Sequence, residues 1–333
     1  MKKLAFLFLI VCLVLIPVSV FAGGGADSAP AGFPTKTIRV LVPYGAGGNS
    51  DLNARIIADI ATQQKFIPGG QSMIVTNLEG AATMNAIQAL LDADPDGHTI
   101  MLHQSSITAQ YNLGNIKYNY TDFTPIAQVF ESPLMHSARA DNPFNTLEEA
   151  VQYATANPGK VRWAHTGVGQ SSYIACEVLW SNYHGRDIHD IFKILAYTGG
   201  ADSAPAQLGG DIDIRTGSAL DTMSYVDAGQ IKLLALSGNE RLSITPDTPS
   251  YKDLGLDDRY NIHQGFFCRK EVPAETVRIL QEIIFKAVDH PRYKEFCDKN
   301  GGFLRRRNGD EFAETLKAVD AAVAEVVAKI KTR

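Results

Sequence analysis

The feature that most constrains this chain is a turn that occurs twice. The apolar run Ile38-Arg39-Val40-Leu41-Val42 leads into Pro43-Tyr44-Gly45-Ala46-Gly47-Gly48-Asn49-Ser50-Asp51, and a helical pattern follows. The run Val161-Arg162-Trp163-Ala164 leads likewise through His165 and Thr166 into Gly167-Val168-Gly169-Gln170-Ser171-Ser172. Both read as strand, glycine turn and helix start, share the spacing G-x-G-x-x-S, and lie 122 residues apart. At a helix start the backbone N–H groups lack intrahelical partners and the helix dipole favours negative charge. Two such turns predict two lobes, each gripping one side of a small anion.

Lys2 and Lys3 precede the apolar stretch from Leu4 to Ile16, Pro17 breaks it, and Val20-Phe21-Ala22 supplies small residues for a cleavage site. Residues 1–22 therefore read as a secretory signal peptide. An uncleaved anchor is the alternative, but the stretch falls short of the ~20 residues a spanning helix needs. Residues 23–35, rich in Gly, Ala, Ser and Pro, read as a flexible spacer. The expectation is an exported protein. The whole chain carries 31 Lys and Arg against 36 Asp and Glu; without Lys2 and Lys3 the balance is 29 minus 36, or -7. Net negative charge argues against nucleic acid or an anionic membrane surface as partner. The roughly 310 residues that remain suit two α/β domains better than one core.

Of the four cysteines, Cys12 falls in the expected signal peptide, and the Cys176, Cys268 and Cys297 that remain are an odd set, so not all can pair within the chain. Cys176 reads as a small buried apolar residue. Spacing neither establishes nor excludes a Cys268–Cys297 bridge.

In chain order, Leu52, Ile56 and Ile60 recur at helical spacing, then Gln71–Thr76, Met84–Leu91 and Thr99–Leu102 read as strand, helix and strand. This βαβαβ alternation implies a parallel, helix-covered sheet. Phe123 to Ala138, with Pro125 and Pro133, reads as the crossing into a second lobe. Thr146-Leu147-Glu148-Glu149 has the spacing of a capping box, with Thr146 as N-cap and Glu149 reaching back. After the second glycine turn, Ile174, Ala175, Val178 and Leu179 form the buried side of a helix. Asp257–Phe267 reads as the return crossing, and Phe312, Leu316, Val319, Val323 and Val326 predict a last helix packed on the first lobe.

Together these residues resemble the exported solute receptors of tripartite tricarboxylate transporters. Val42, Pro43, Tyr44, Gly47, Gly48, Ser50 and Asp51 are similar to that family's V-P-[FY]-x-x-G-G-x-[TS]-D. Asn77 with Gly80-Ala81, Pro95-Asp96-Gly97-His98-Thr99, Pro158-Gly159-Lys160, Gly229 to Ala235 and Arg241 to Pro249 follow its order and spacing. Tyr197-Thr198-Gly199-Gly200 stands where the family has Tyr-Lys-Gly, so Thr198 replaces a lysine. The resemblance implies a two-lobed, type II-like periplasmic-binding-protein fold. Each lobe would be a mostly parallel sheet covered by helices, and two crossing strands would join them. Lobe 1 would span 36–136 and 266–333, and lobe 2 would span 137–265. It also implies a monomer that closes on a small di- or tricarboxylate or related organic acid and passes it to membrane permease subunits.

The expected ligand-binding residues are Tyr44, Gly45, Ala46, Gly47, Gly48, Asn49, Ser50 and Asp51 in the first turn. Thr166, Gly167, Gln170, Ser171 and Ser172 come from the second, and Tyr197, Thr198, Gly199 and Gly200 from a third. Ser50 and Ser172 also suit N-caps, and Tyr44 and Tyr197 suit a pocket wall or a core. Asp51 has two readings: a residue placed at the helix start for the dipole, or an acceptor for a ligand amino or hydroxyl group. No cofactor, metal or catalytic residue is expected. His184 and His189 lack a third ligand, the glycines do not fit a dinucleotide fingerprint, and no G-x-S-x-G elbow is present. A ligand sensor for a membrane receptor is the alternative function, and a periplasmic enzyme a more distant one.

Overall fold

A computed structural model describes residues 32–331; the expected signal peptide and residues 23–31 lie outside the described residues. β1 (Ile38–Val42), α1 (Asn49–Gln63), β2 (Met73–Asn77), α2 (Met84–Asp92), β3 (Thr99–Gln104), α3 (Ser106–Asn112) and β4 (Phe123–Ser132) come first. They are followed by β5 (Met135–Arg139), α4 (Leu147–Ala156), β6 (Val161–His165), α5 (Ser171–Trp180), β7 (Phe192–Ala196), α6 (Gly200–Gly209), β8 (Ile214–Gly217), α7 (Met223–Asp227) and β9 (Ile231–Leu236). The chain returns through β10 (Ile262–Arg269), α8 (Ala274–Val288), α9 (Pro291–Lys299), β11 (Phe303–Asn308) and α10 (Gly309–Ile330).

The strands form two sheets, ordered β11-β4-β10-β3-β1-β2 and β7-β6-β8-β5-β9. Each holds the same parallel trio: β1 lies between β2 and β3, and β6 between β7 and β8. In β1, Ile38, Val40, Leu41 and Val42 are buried, as expected of a strand with helices on both faces. The sheets are mixed rather than mostly parallel. β4 leaves the first lobe and β10 returns to it, so the two run in opposite directions, and β10 is also antiparallel to β3. β5 pairs antiparallel with both β8 and β9. The fold is thus α/β and two-lobed, with two crossings, and the expected limits at 137 and 266 fall inside β5 and β10.

Local details depart from expectation in four places. Phe33 and Pro34 are buried, and Thr35 N–H donates to His98 Nε2 (3.0 Å), so packed structure begins ahead of residue 35. At α4, Thr146 Oγ1 caps Glu149 N–H (3.1 Å), but the Glu149 carboxylate accepts from Asn145 N–H (2.6 Å), one residue earlier than a capping box requires. Every residue of α5 is buried, because α5 lies on β6 and β8 while α3 and α10 cover its other side. Helix α10 accordingly serves both lobes. Phe312 and Leu316 pack with Leu41, Met101 and Phe267, whereas Val319, Val323, Val326 and Val327 pack with Tyr173, Ile174 and Val178 of α5.

Cys176, Cys268 and Cys297 are free and buried. Cys268 and Cys297 belong to the apolar core under β1 and α8.

Candidate functional site

A cleft of about 470 Å³ lies where the carboxyl ends of both parallel trios face each other. Pro43, Tyr44 and Gly45 follow β1; Glu79, Gly80, Ala82 and Thr83 follow β2; Gln104 and Ser106 stand at the end of β3. Opposite them are Thr166 and Gln170–Ser172 after β6, Thr198–Gly200 after β7, and Gly217, Ser218 and Asp221 from β8 onward. Leu134 and Ile262, on the two crossings, also line it. Open α/β sheets bind ligands at such strand ends, where neighbouring connections leave in opposite directions. Both glycine turns follow the central strand of a trio, which is that position.

The backbones of the two turns match. Gly47 and Gly169, the second glycine of each, both have φ of 81°, a left-handed conformation that suits glycine. Gly48 N–H donates to the Gly45 carbonyl and Gln170 N–H to the Gly167 carbonyl, each at 3.2 Å. Gly48 and Gln170 are the N-caps of α1 and α5, both extended and neither with a side-chain cap bond.

The side chains do not match. In the first turn, Asp51 is 1% exposed and accepts from Gly47 N–H (2.8 Å), Arg55 Nε (2.9 Å) and Asn77 Nδ2 (2.9 Å). Burial opposes its ionisation, but these donors outweigh burial and hold its pKa below the usual carboxylate range. Ser50 Oγ accepts from Gln104 Nε2 (2.7 Å), and Asn49 Oδ1 from Gln264 Nε2 (3.3 Å). Ala46, Gly47, Gly48, Asn49, Ser50 and Asp51 do not line the cleft, unlike Tyr44 and Gly45. Tyr44 Oη bonds Ser106 Oγ (3.0 Å) and approaches His103 Nδ1 (3.4 Å); burial drives its pKa up, and burial lowers His103 to about 4.

In the second turn, Ser172 Oγ accepts from Thr166 N–H (2.9 Å) and lies 2.6 Å from Thr166 Oγ1. Gly167 N–H donates to His165 Nδ1 (3.1 Å), and burial holds His165 near pKa 4, hence neutral. Ser171 is 6% exposed, and the Tyr260 hydroxyl is the one polar side-chain group set against its hydroxyl among the described residues, short of full hydrogen-bond geometry. Gly169 C=O accepts from Gln110 Nε2 on α3 (3.1 Å), a bond between the lobes. Gly167 and Tyr197 stand just outside the lining. In the third turn the donors are already used: Thr198 N–H, Thr198 Oγ1 and Gly199 N–H reach Asp202 at 2.9, 2.7 and 2.9 Å.

Several lining residues escaped the sequence reading: Glu79, Gly80, Ala82, Thr83, Gln104, Ser106, Gln110, Gly217, Ser218 and Asp221. Their common signal is position, since each follows or ends a strand of one of the two trios, and the strand-end rule extends to all six strands. Behind Asp221 lies Arg215, fully buried, whose Nη1 is 3.2 Å from Asp221 Oδ1 and whose Nη2 donates to the Asp221 carbonyl (2.9 Å) and Thr222 Oγ1 (2.6 Å). A side chain at Gly200 or Gly217 would overlap this pair.

The tripartite tricarboxylate transporter family receptor model matches residues 54–321. A UPF0065 protein of Bordetella pertussis is 30% identical over 280 residues, covering 83% of this chain and 84% of its own. Among solved structures, a ligand-free TctC solute binding protein from Polaromonas superposes with a TM-score of 0.75 at 26% identity, covering 89% of this chain and 99% of its own. MatC from Rhodopseudomonas palustris, with bound malate, gives 0.73 at 24% identity, covering 89% and 100%. A match over most of the chain, with the turns at equivalent strand ends of a two-lobed fold, means that this protein belongs to the tripartite tricarboxylate transporter receptor family.

Proposed function

We propose that the protein is an exported receptor that closes its two lobes, 36–136 with 266–333 and 137–265, on a small carboxylate. It then delivers the acid to the membrane permease subunits of a tripartite tricarboxylate-type transporter, acting as a monomer in the periplasm after loss of residues 1–22. The observation that carries this reading is the start of α5. There the buried Ser171 hydroxyl, with only the Tyr260 hydroxyl set against it among the described residues, lines the cleft beside backbone amides that no helical carbonyl reaches. Tyr44, Gly45, Thr166, Gln170 and Ser172 complete the proposed contacts. MatC, a receptor of the same fold, holds malate, which supports a carboxylate.

The helix start that opens on the cleft at Ser171, that of α5, contributes at most ~2 kcal/mol to a partly buried anion, against about 8 for micromolar affinity. Closure must supply the remainder by excluding water and strengthening each hydrogen bond. The arrangement favours binding over catalysis: Ser172 Oγ is tied to Thr166 and His165 Nδ1 to a backbone amide, so they do not form a nucleophile–base pair. The test is a thermal-shift panel of mono-, di- and tricarboxylates with nucleotides as contrast. A carboxylate should raise the melting temperature by mass action. A shift with nucleotides alone defeats the receptor reading.

A further inference from the structure

The charges facing the cleft have one sign. Among the described residues that line it the charged ones are Glu79 and Asp221, and none is Lys, Arg or His. Asp221 is compensated by the buried Arg215 guanidinium. Asp51 and Asp202, in the turns behind the lining, are compensated by Arg55 and by backbone amides.

Glu79 is different. Its carbonyl accepts from Asn85 Nδ2 (2.6 Å), but its carboxylate has neither a hydrogen-bond nor an ion-pair partner among the described residues. That carboxylate lies beside Gly45, where a Cβ would meet it at 3.4 Å. Four residues on, Thr83 lines the same wall, is 8% exposed, and has no partner for Oγ1. The intervening loop holds Ala81, Ala82 and Thr83 at φ of 46°, 52° and 84°, a conformation these residue types seldom adopt. A dicarboxylate in this cleft would place its second negative charge with no cation in the lining and with Glu79 facing it.

Resting on the carboxylate-receptor reading, we propose that the ligand is an amino-carboxylate. Its carboxylate lies at the start of α5, and its ammonium group lies between the Glu79 carboxylate and the Thr83 hydroxyl. The unpaired acid then gains a charge-assisted partner and the orphaned hydroxyl an N–H to accept.

The test is calorimetric titration of the full mature chain with matched acids that differ at one end: glutarate against 4-aminobutyrate, and succinate against aspartate. The amino acid of at least one pair should bind at least tenfold more tightly than its dicarboxylate. Glu79→Gln should abolish that preference, and Glu79→Lys should reverse it. Glu79 is exposed and its side chain is unbonded, so both variants should melt like the parent without ligand. Tighter binding of both dicarboxylates, or a preference that survives Glu79→Gln, overturns the proposal while leaving the carboxylate receptor intact. Failure of every acid to bind overturns the receptor reading and the proposal with it.

Discussion

The two glycine turns share a spacing, a left-handed second glycine and the same internal backbone bond, yet the fold uses them differently. The first is closed on itself: Asp51 occupies the Gly47 amide, Gln104 occupies Ser50, and Tyr44 and Gly45 carry its face into the cleft. The second presents Gln170, Ser171 and Ser172 to the cleft and keeps the Ser171 hydroxyl without a partner from its own turn. The difference arises four residues after the second glycine, where the first turn has Asp51 and the second has Tyr173. A carboxylate there satisfies the turn's own amide. A phenol leaves the turn's polarity for something else.

The largest effect should come from Asp51→Ala, which strands three donors and destabilises by about 3 kcal/mol, measured by urea denaturation. Both tryptophans, Trp163 and Trp180, lie in the second lobe, so far-UV circular dichroism should lose more than tryptophan fluorescence. Equal shifts in both signals would mean that the turn's contribution is not local.

Acid should affect both turns over one interval and the first over a second. His103 and His165, held neutral with pKa values lowered to about 4, take up protons in the unfolded chain from about 6.5. The unfolded state binds more protons below that pH, so stability falls as pH drops from 6.5 toward 4, by about 1.4 kcal/mol per unit per histidine at most. The lowered pKa of Asp51 acts lower down, its stabilisation being lost only as pH falls below 3.8. Melting temperature against pH checks this, with His165→Gln making the upper interval shallower in the fluorescence signal while His136, lowered by burial to about 3 beside Trp163, keeps part of the slope.

Ser172→Ala should cost about 1 kcal/mol through the lost bond from Thr166 N–H, read by tryptophan fluorescence. Ser171→Ala should change stability little, since only the Tyr260 hydroxyl is set against that hydroxyl among the described residues, and weaken carboxylate binding by about fivefold, the value of one hydrogen bond. Unchanged affinity would remove Ser171 from the proposed contacts.

Much of the fold was legible because strands and turns are written locally. β1 runs from Ile38 to Val42, as its apolar run indicates. The alternation of β1 to β3 with α1 and α2 predicts a parallel trio that is present. The antiparallel partners were not legible, because whether β10 lies beside β3 depends on where a chain returning some 130 residues after β4 finds an open edge. Nor was the double service of α10, whose apolar stripe is the same whether it faces one lobe or two.

At the site, sequence by itself determined the turns, their glycine conformations and their helix starts, since backbone sterics and hydrogen-bond geometry act within a few residues. Only the tertiary structure decided which amides and hydroxyls remain open, because the partners that close them come from far along the chain: Gln104 for Ser50, Asn77 for Asp51, Gln110 for Gly169. The same holds for charge. Glu79 became a feature of the cleft when folding brought Arg215 to Asp221 and Arg55 to Asp51 and brought no cation to Glu79.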